Sequence, residues 1–144
     1  MERKALTIIQ PWATLIAVAA KKIETRSWKT NYRGEIYIHA GKKIDRDFCY
    51  QDISKKVLNM HGYTTENLPT GVIIAKAKLV DCAKVVASKE GSAILEGDKQ
   101  YIVGNYEFYF GNYEVGRYGW ILQDIELINP IPAKGQLSIW NLDI

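Results

Sequence analysis

The segment VIIAKAKLVDCAKVV, at residues 72–86, most constrains the fold because it reads as one long β-strand. Its apolar side chains recur at every second position from Ile73 to Leu79. Period two is the repeat of a strand, and so long a strand needs neighbouring strands to pair with it and cover its apolar face. The chain is therefore predicted to be built around a sheet.

Further segments show strand or helix patterns. Strands are predicted in ALTII (5–9), IETRSW (23–28), EIYIHA (35–40) and YGWILQDIELI (118–128), with a last edge strand in KGQLSIWNLDI (134–144). Helices are predicted in PWATLIAVAAKK (11–22), apolar nearly all round, and in an amphipathic segment that Asp45 caps and Gly62 ends. We therefore predict an α+β fold in a single domain, residues 1–144. It would be a compact β-barrel of about five or six mostly antiparallel strands, with two to four helices packed over it.

Charge and hydropathy exclude some classes of protein. The formal net charge of +3 permits nucleic-acid binding without arguing for it, since the clustering of basic groups decides that question. No apolar run approaches the roughly 20 residues that cross a bilayer, and MERKALTII has no signal-peptide pattern. We expect a cytoplasmic protein with no membrane partner; the sequence carries no signal for an oligomeric state.

The residues that bind metals and cofactors are sparse. Cys49 and Cys82 are predicted to be free core residues, and with His39 and His61 they lack the short ligand spacings of zinc sites. The chain contains no phosphate loop, GxGxxG or HExxH motif. We therefore expect no metal and no cofactor.

One face of the IETRSW strand has two interpretations. Alternation places Glu24, Arg26 and Trp28 on the same face. A Glu–Arg pair on a strand is by itself a common surface ion pair of little energetic weight. A large ring beside such a pair is instead typical of a site that stacks on a planar group and hydrogen-bonds its edge.

Basic and aromatic residues alternate around this face. The basic residues are Lys21, Lys22, Arg26, Lys29, Arg33, Lys42 and Lys43, and the interleaved rings are Tyr32, Tyr37 and His39. This mixture suits nucleic acid, because phosphates bind the cations and bases stack on the rings. A solvated hairpin is the alternative.

Two more features concern the second half of the chain. In GRYGW, which contains Arg117 and Tyr118, the flanking glycines either allow backbone to approach a ligand or simply form a turn with an aromatic plug. Eight of the sixteen aromatic residues fall between Tyr101 and Trp120. If this segment were a protein-interaction module, its rings would be exposed.

The stretch AAKKIETRSW resembles the GxKxxExR signature of the ASCH family (activating signal cointegrator homology), a branch of the PUA-like superfamily. The motif Lys, Glu and Arg correspond to Lys21, Glu24 and Arg26, while the signature Gly falls on Ala19. Further segments, from LTIIQPWATLI to the closing tail YGWILQDIELINPIPAKGQLSIWNL, resemble the family in the correct order and cover nearly all of the chain.

The resemblance implies a PUA-like β-barrel with a cleft against the first helix, lined by the motif and proposed to bind RNA or a nucleotide-like ligand. We predict that Lys21 and Arg26 take phosphate or an acidic edge, Glu24 accepts from a base amino group, and Trp28 or Tyr118 stacks. The predicted ligand-binding residues are Lys21, Glu24, Arg26, Ser27, Trp28, Tyr32, Arg33, His39, Arg117 and Tyr118. The predicted partner is RNA, another single-stranded nucleic acid or a nucleotide.

The resemblance leaves catalysis open. One enzyme group in the family removes an acyl group from a modified cytidine and pairs the motif Lys with a Thr nucleophile and a distant Glu. Here Glu24 occupies the Thr position, so that mechanism does not transfer directly. The alternative function is a small hydrolase or a metal-independent ribonuclease acting on RNA or modified nucleosides in the same cleft. Its candidate catalytic residues are Lys21, Glu24, Arg26 and Tyr32, and Arg117 is a further candidate for RNA cleavage.

Overall fold

The strands that alternation predicts dominate the computed structural model, which describes residues 2–144. Eight strands lie in these residues, and their bounds are β1 (Glu2–Gln10), β2 (Ile23–Arg26), β3 (Gly34–Ile44), β4 (Val72–Lys89), β5 (Ser92–Glu96), β6 (Gln100–Gly104), β7 (Tyr118–Pro132) and β8 (Ile139–Asp143). In β4 the alternating residues from Ile73 to Leu79 are at most 4% exposed, as their period predicts. The predicted last edge strand is β8.

Four helices lie in the same described residues: α1 (Trp12–Ala17), α2 (Arg46–Tyr50), α3 (Asp52–Met60) and α4 (Asn105–Tyr109). Helix α1 starts just after Pro11 and is buried along almost its whole length, as its apolar composition predicts. It ends in a Schellman motif, in which the Ala20 N–H donates to the Leu15 carbonyl and the Ala19 N–H donates to the Ile16 carbonyl. Ala19 has a φ of 62° there.

The predicted amphipathic helix after Asp45 is two helices. The Asp45 carboxylate accepts from the Phe48 N–H at 3.0 Å, so the predicted cap is present on α2. Gln51 then adopts an extended conformation, with ψ at 144°, and α3 begins after it. The prediction of one continuous helix was therefore wrong, although its apolar face is buried at Val57 and Leu58.

The chain divides into two compact units. Unit 1 consists of the described part of Met1–Ala20, with Glu35–Ala77 and Ile125–Ile144. Within it β1 runs parallel to β3 and antiparallel to β8. One hydrophobic cluster of this unit contains Ala5, Tyr37, Ile73, Trp140 and Leu142.

Unit 2 consists of Lys21–Gly34 and Lys78–Asp124. Within it β2 pairs antiparallel with β7, and β5 pairs antiparallel with both β4 and β6. Its hydrophobic cluster contains Ile23, Ala83, Val85, Ala93, Leu95, Val103, Tyr113 and Ile121. The prediction of a single domain stays a prediction.

The strand order confirms the predicted α+β class and the mainly antiparallel pairing. Hydrogen-bonded neighbours follow the order β2-β7-β4-β3-β1-β8, with β5 on β4 and β6 on β5. Eight strands exceed the predicted five or six, because residues 87–115, where no separate strand is predicted, contain β5 and β6. The path is open between β2 and β8 across residues 2–144, so the expected barrel is not shown.

Two further observations concern the cysteines and the helices of the described residues. Cys49 and Cys82 are both free and buried, and burial is the main cause that raises the pKa of each thiol. No helix within residues 2–144 has the length and apolar character that a membrane span requires.

Candidate functional site

Lys21 is the most unusual side chain of unit 2, because an ionisable amine is almost fully buried at 1% exposure. Its Nζ donates to the carbonyl oxygen of Ile23, two residues along the chain. Burial lowers the pKa of Lys21, and the nearby charges of Glu24 and Glu107 act against that shift. A buried amine with a lowered pKa is typical of functional sites.

Glu107 is a residue that the sequence interpretation missed. It lies on α4 within the aromatic segment, and its carboxylate accepts from the backbone N–H groups of Lys22 at 2.7 Å and Ile23 at 3.3 Å. Burial raises the pKa of Glu107, whereas the Lys21 charge and these two N–H groups lower it. The only sequence signal was the distant Glu that the family resemblance implies, and that signal named no position.

Glu24 and Arg26 form the ion pair that strand alternation allows. Arg26 Nε donates to Glu24 Oε2 at 3.0 Å, and the two side chains are only 10% and 25% exposed. In the ladder with β7, Glu24 lies opposite Trp120 and Arg26 lies opposite Tyr118. The structure therefore places Tyr118 beside Arg26, and its predicted stacking role stays a prediction.

Trp28 also lies in this part of unit 2. Its ring meets the ring of Trp120 edge to face, with centroids 4.7 Å apart and planes at 88°. The Trp28 carbonyl oxygen accepts from Trp120 Nε1 at 3.3 Å. Since Trp28 is partly exposed and Trp120 is fully buried, Trp28 is the ring of this pair that a ligand can reach.

Tyr113 is a second residue that the sequence interpretation missed. Its ring is 3% exposed and stacks on Phe108 with centroids 5.6 Å apart, yet its hydroxyl has no hydrogen-bond partner in residues 2–144. Burial raises the pKa of Tyr113, and so do the charges of Glu107 and Glu24. A buried hydroxyl without a partner is costly and rare, so it needs an explanation.

Gly111 is required for the position of this ring. A Cβ on Gly111 would lie 2.5 Å from Tyr113 Cε2 and 3.2 Å from Thr25 Cγ2. Gly111 therefore lets Tyr113 pack beside β2, a role that its sequence neighbours do not reveal.

Other predicted ligand residues of unit 2 make contacts within the protein, and their ligand roles stay predictions. Arg117 donates to the carbonyl oxygens of Asn112 at 3.2 Å and Thr25 at 3.5 Å. Arg33 donates to the carbonyl oxygens of Thr30 and Tyr32 and lies 3.8 Å from Asp81. Ser27 is exposed, and Tyr32 is partly buried.

His39 belongs to unit 1 and is 2% exposed. Its Nε2 is 2.7 Å from the Ala133 carbonyl oxygen, and its Nδ1 is 3.1 Å from Thr7 Oγ1. Both ring nitrogens therefore have partners within the protein. The sequence interpretation placed His39 among the nucleic-acid contacts, and that role stays a prediction, as does the cleft that the resemblance implies.

The arrangement in unit 2 offers both donors and acceptors. Lys21, Arg26 and the Tyr113 hydroxyl can donate, while Glu24 and Glu107 accept. Within residues 2–144, no group of three or more His, Cys, Asp or Glu residues is arranged to hold a metal ion.

Comparison with known proteins identifies the class. The family model of the ASCH domain matches residues 6–131, so the chain belongs to the ASCH domain family, which is generally thought to bind RNA. It is similar to activating signal cointegrator 1 of Homo sapiens, with 27% identity over 143 residues, 96% of this chain. The protein of the same name from Mus musculus is 26% identical over 141 residues, again 96% of the chain. The chain spans only about a fifth of these relatives, 22% of each.

Proposed function

We propose that the protein binds RNA or a nucleotide through the polar cluster of unit 2, formed by Lys21, Glu24, Arg26, Glu107 and Tyr113. The observation that carries this proposal is a buried lysine beside two carboxylates and a buried hydroxyl without a partner. Native structures rarely leave a buried hydroxyl such as that of Tyr113 without a partner unless a ligand, an ion or water meets it. Membership in the ASCH domain family supports the nucleic-acid class.

The charges of the cluster assign different tasks to its members. With Lys21 protonated, two cationic and two anionic side chains cancel, so the buried part suits a neutral edge such as that of a base. Glu24 accepts from an amino group, Tyr113 donates to a ring or carbonyl acceptor, and Trp28 stacks. Arg26, one-quarter exposed, is the residue that can also meet a phosphate.

The test is the binding of a short single-stranded RNA, followed by fluorescence anisotropy at low salt. Lys21→Met keeps the length of the side chain and removes the amine, and Tyr113→Phe removes only the hydroxyl. We expect about a tenfold or greater loss of affinity for Lys21→Met and a loss of a few-fold for Tyr113→Phe, because one hydrogen bond is worth about 1 kcal/mol. Lys22→Met is the control, since Lys22 is the exposed neighbour of Lys21.

Thermal unfolding of each variant separates lost binding from lost folding. Tyr113→Phe removes an unpaired buried polar atom and should fold at least as stably as the parent. If folded Lys21→Met and Tyr113→Phe both bind the RNA with the affinity of the parent, the assignment of this cluster is wrong.

A second candidate, hydrolysis in the same site, is favoured by one observation. Burial shifts the pKa of Lys21 down and that of Glu107 up, so the difference in proton affinity between the amine and the carboxylate is reduced. On an acylated base, Glu107 would take a proton from a water molecule while the oxygen of that water bonds to the acyl carbon. The carbon–nitrogen bond then breaks, and Lys21 supplies the proton to the leaving nitrogen.

Incubation with RNA and with acylated nucleosides, each with and without chelator, tests this candidate. Turnover that resists chelator and is lost in Glu107→Gln would support hydrolysis. Binding without turnover would remove it and leave the binding function standing.

The protein-interaction module is not proposed. Among the eight rings between Tyr101 and Trp120, all of them described, Tyr106 alone is exposed, at 46%. Phe110, Tyr113 and Trp120 are buried. The PUA-like closure of the sheet into a barrel, which the family resemblance implies, remains part of our proposal for the fold.

A further inference from the structure

A separate pocket lies in unit 1, where β3 and the segment after β7 line a cavity of about 420 Å³. Its size is within the range of small-molecule sites, about 300–1,000 Å³. None of the residues of the polar cluster in unit 2 lines it. The pocket is therefore a candidate site in its own right.

The charged side chains of the pocket have one sign. Lys42 comes from β3 and Lys134 from the segment after β7, and no Asp or Glu is among the described residues that line the cavity. The aliphatic stem of Lys42 extends near Gly71, since a Cβ there would lie 3.9 Å from Lys42 Cε. Two cations from separate elements thus face one cavity without an acidic partner in its wall.

The wall that carries Lys134 is held by a buried hydrogen-bonded chain. The Ala133 carbonyl can only accept, so His39 Nε2 donates to it at 2.7 Å. In the neutral ring, Nδ1 then accepts from the Thr7 hydroxyl at 3.1 Å, and Thr7 Oγ1 accepts from Trp140 Nε1 at 3.0 Å. This chain fixes the segment after β7 against β1, β3 and β8.

Gly135 shows how closely that wall is packed. A Cβ on Gly135 would lie 2.9 Å from Thr7 Oγ1 and 3.0 Å from His39 Cε1. The backbone beside Lys134 therefore rests directly on the buried chain, and the pocket is formed before any ligand arrives. A preformed site avoids part of the ordering cost of binding.

The next residues line the outer part of the cavity. Gln136 supplies an amide, and Leu137 is 92% exposed, an unusual state for a large apolar side chain. The cavity thus combines two cations, an amide and an apolar rim. Its volume of about 420 Å³ is many times the roughly 30 Å³ of one water molecule, so the cavity has room for an organic group beside an anion.

We propose that this pocket binds a phosphate monoester of a small organic molecule. A monoester carries about −1.5 to −2 charges at pH 7, which matches the two lysines. Its oxygens would accept from Lys42 and Lys134, and its organic part would lie along Gln136 and Leu137. This proposal does not depend on the function proposed for unit 2.

The test is a protein NMR titration of the full chain with four probes: inorganic phosphate, uridine 5′-monophosphate, uridine and a 5′-hydroxyl uridine trinucleotide. We expect the monophosphate to shift the amide signals of Gly71 and Gly135, with phosphate weaker and uridine without effect. The double variant Lys42→Ala/Lys134→Ala should lose affinity for the monophosphate by about tenfold or more, since each lysine contributes an ionic hydrogen bond.

Lys89→Ala is the matched control, because Lys89 is an exposed lysine at the end of β4 in unit 2. It should bind the monophosphate as the parent does. Equal binding of uridine, or unchanged affinity in the double variant, would overturn the proposal. Equal binding of the trinucleotide would assign the pocket to the backbone phosphates of RNA and would overturn the proposal of a monoester ligand.

Discussion

Ala19 shows how a single backbone angle explains a sequence signature. The signature that this stretch resembles has Gly at the position of Ala19, and in this chain the residue is the C′ position of the Schellman motif that ends α1, with φ at 62°. Glycine adopts that angle without a steric penalty, whereas alanine is strained there. The chain therefore keeps the turn that precedes Lys21 despite the departure from the signature.

We expect Ala19→Gly to raise the free energy of unfolding by about 0.5–1 kcal/mol. The relief of left-handed strain, about 1–2 kcal/mol, exceeds the extra entropy that glycine gives the unfolded chain, about 0.4–1 kcal/mol. Urea unfolding measures the change. Ala20→Gly is the control and should lower stability, because Ala20 is not among the described residues with positive φ. A loss of stability in Ala19→Gly would contradict this account of the signature.

Lys21 gives a prediction about pH. Its pKa is lowered in the folded state, so between that value and the unfolded value of about 10.5 the folded chain holds fewer protons than the unfolded chain. The contribution of Lys21 to the free energy of unfolding therefore rises with pH across this window.

Urea unfolding of the parent and of Lys21→Met at pH 7 and pH 10 measures this effect. The parent should gain stability relative to Lys21→Met as the pH rises. The exposed Lys22 provides the control, since Lys22→Met should follow the parent. Parallel curves for the parent and Lys21→Met would mean that Lys21 is not held in an environment that disfavours its charge.

At the scale of elements, β2 is an end strand whose outer edge is occupied by side chains. Glu107 accepts from the Ile23 N–H, and Arg117 donates to the Thr25 carbonyl. The Thr25 hydroxyl accepts from the Asn112 N–H at 3.0 Å. These contacts cover backbone groups that an exposed edge would offer to another chain. They also give Arg117 a structural role beside its predicted ligand role.

Removal of the Glu107 carboxylate should loosen the start of β2. We expect Glu107→Ala to speed amide hydrogen exchange at Lys22 and Ile23 by about tenfold or more, since hydrogen bonds to charged acceptors are worth about 1.5–3 kcal/mol. Exchange measured by NMR gives the result at each residue. Glu114→Ala changes an exposed carboxylate of the same segment and should leave both amides as they are. Unchanged exchange in Glu107→Ala would contradict the claim that Glu107 tethers α4 to the start of β2.

The elements that sequence could predict were those with a clear period. Alternation predicted β4 and the strands at both ends of the chain, and Asp45 was predicted as the cap that it forms on α2. The helix break at Gln51 has no Gly or Pro to mark it, so periodicity ran through it. The predicted end of the EIYIHA strand at residue 40 was wrong for a different reason: β3 continues to Ile44, because pairing with β1 reaches from Ala5–Tyr37 to Gln10–Ile44.

At the scale of the whole molecule, only part of the candidate site could be predicted from the sequence. Lys21, Glu24 and Arg26 lie close in sequence and resemble a family signature, so the sequence could nominate them. Glu107 and Tyr113 come from a segment more than 80 residues away, and only the fold brings them to β2. Nothing in the local sequence of NYEFYFGNY separates these residues from the other polar and aromatic residues around them.

The charge of the molecule leads to a prediction about salt. The net charge of +3 is small, and within the polar cluster two cations face two carboxylates. Binding through this cluster should therefore neutralise few phosphates. We expect log K for single-stranded RNA to fall with log salt at a slope no steeper than about −2, at about −0.7 per phosphate.

Affinity measured by anisotropy from 50 to 300 mM salt, a range over which the Debye length shortens, supplies this slope. Arg26→Ala should make it shallower by about 0.7, since Arg26 is the exposed cation of the cluster. A slope steeper than about −4 would indicate that RNA binds the scattered surface lysines rather than the cluster.

The edge-to-face contact of Trp28 and Trp120 has a practical consequence for spectroscopy. Two indoles 4.7 Å apart at 88° couple their electronic transitions, so the pair contributes a near-ultraviolet circular dichroism signal that depends on its geometry. Trp120 is enclosed, while Trp28 is partly open to solvent. A ring that stacks on Trp28 would change that signal and its fluorescence together, so the protein carries its own optical reporter of occupancy, without a label.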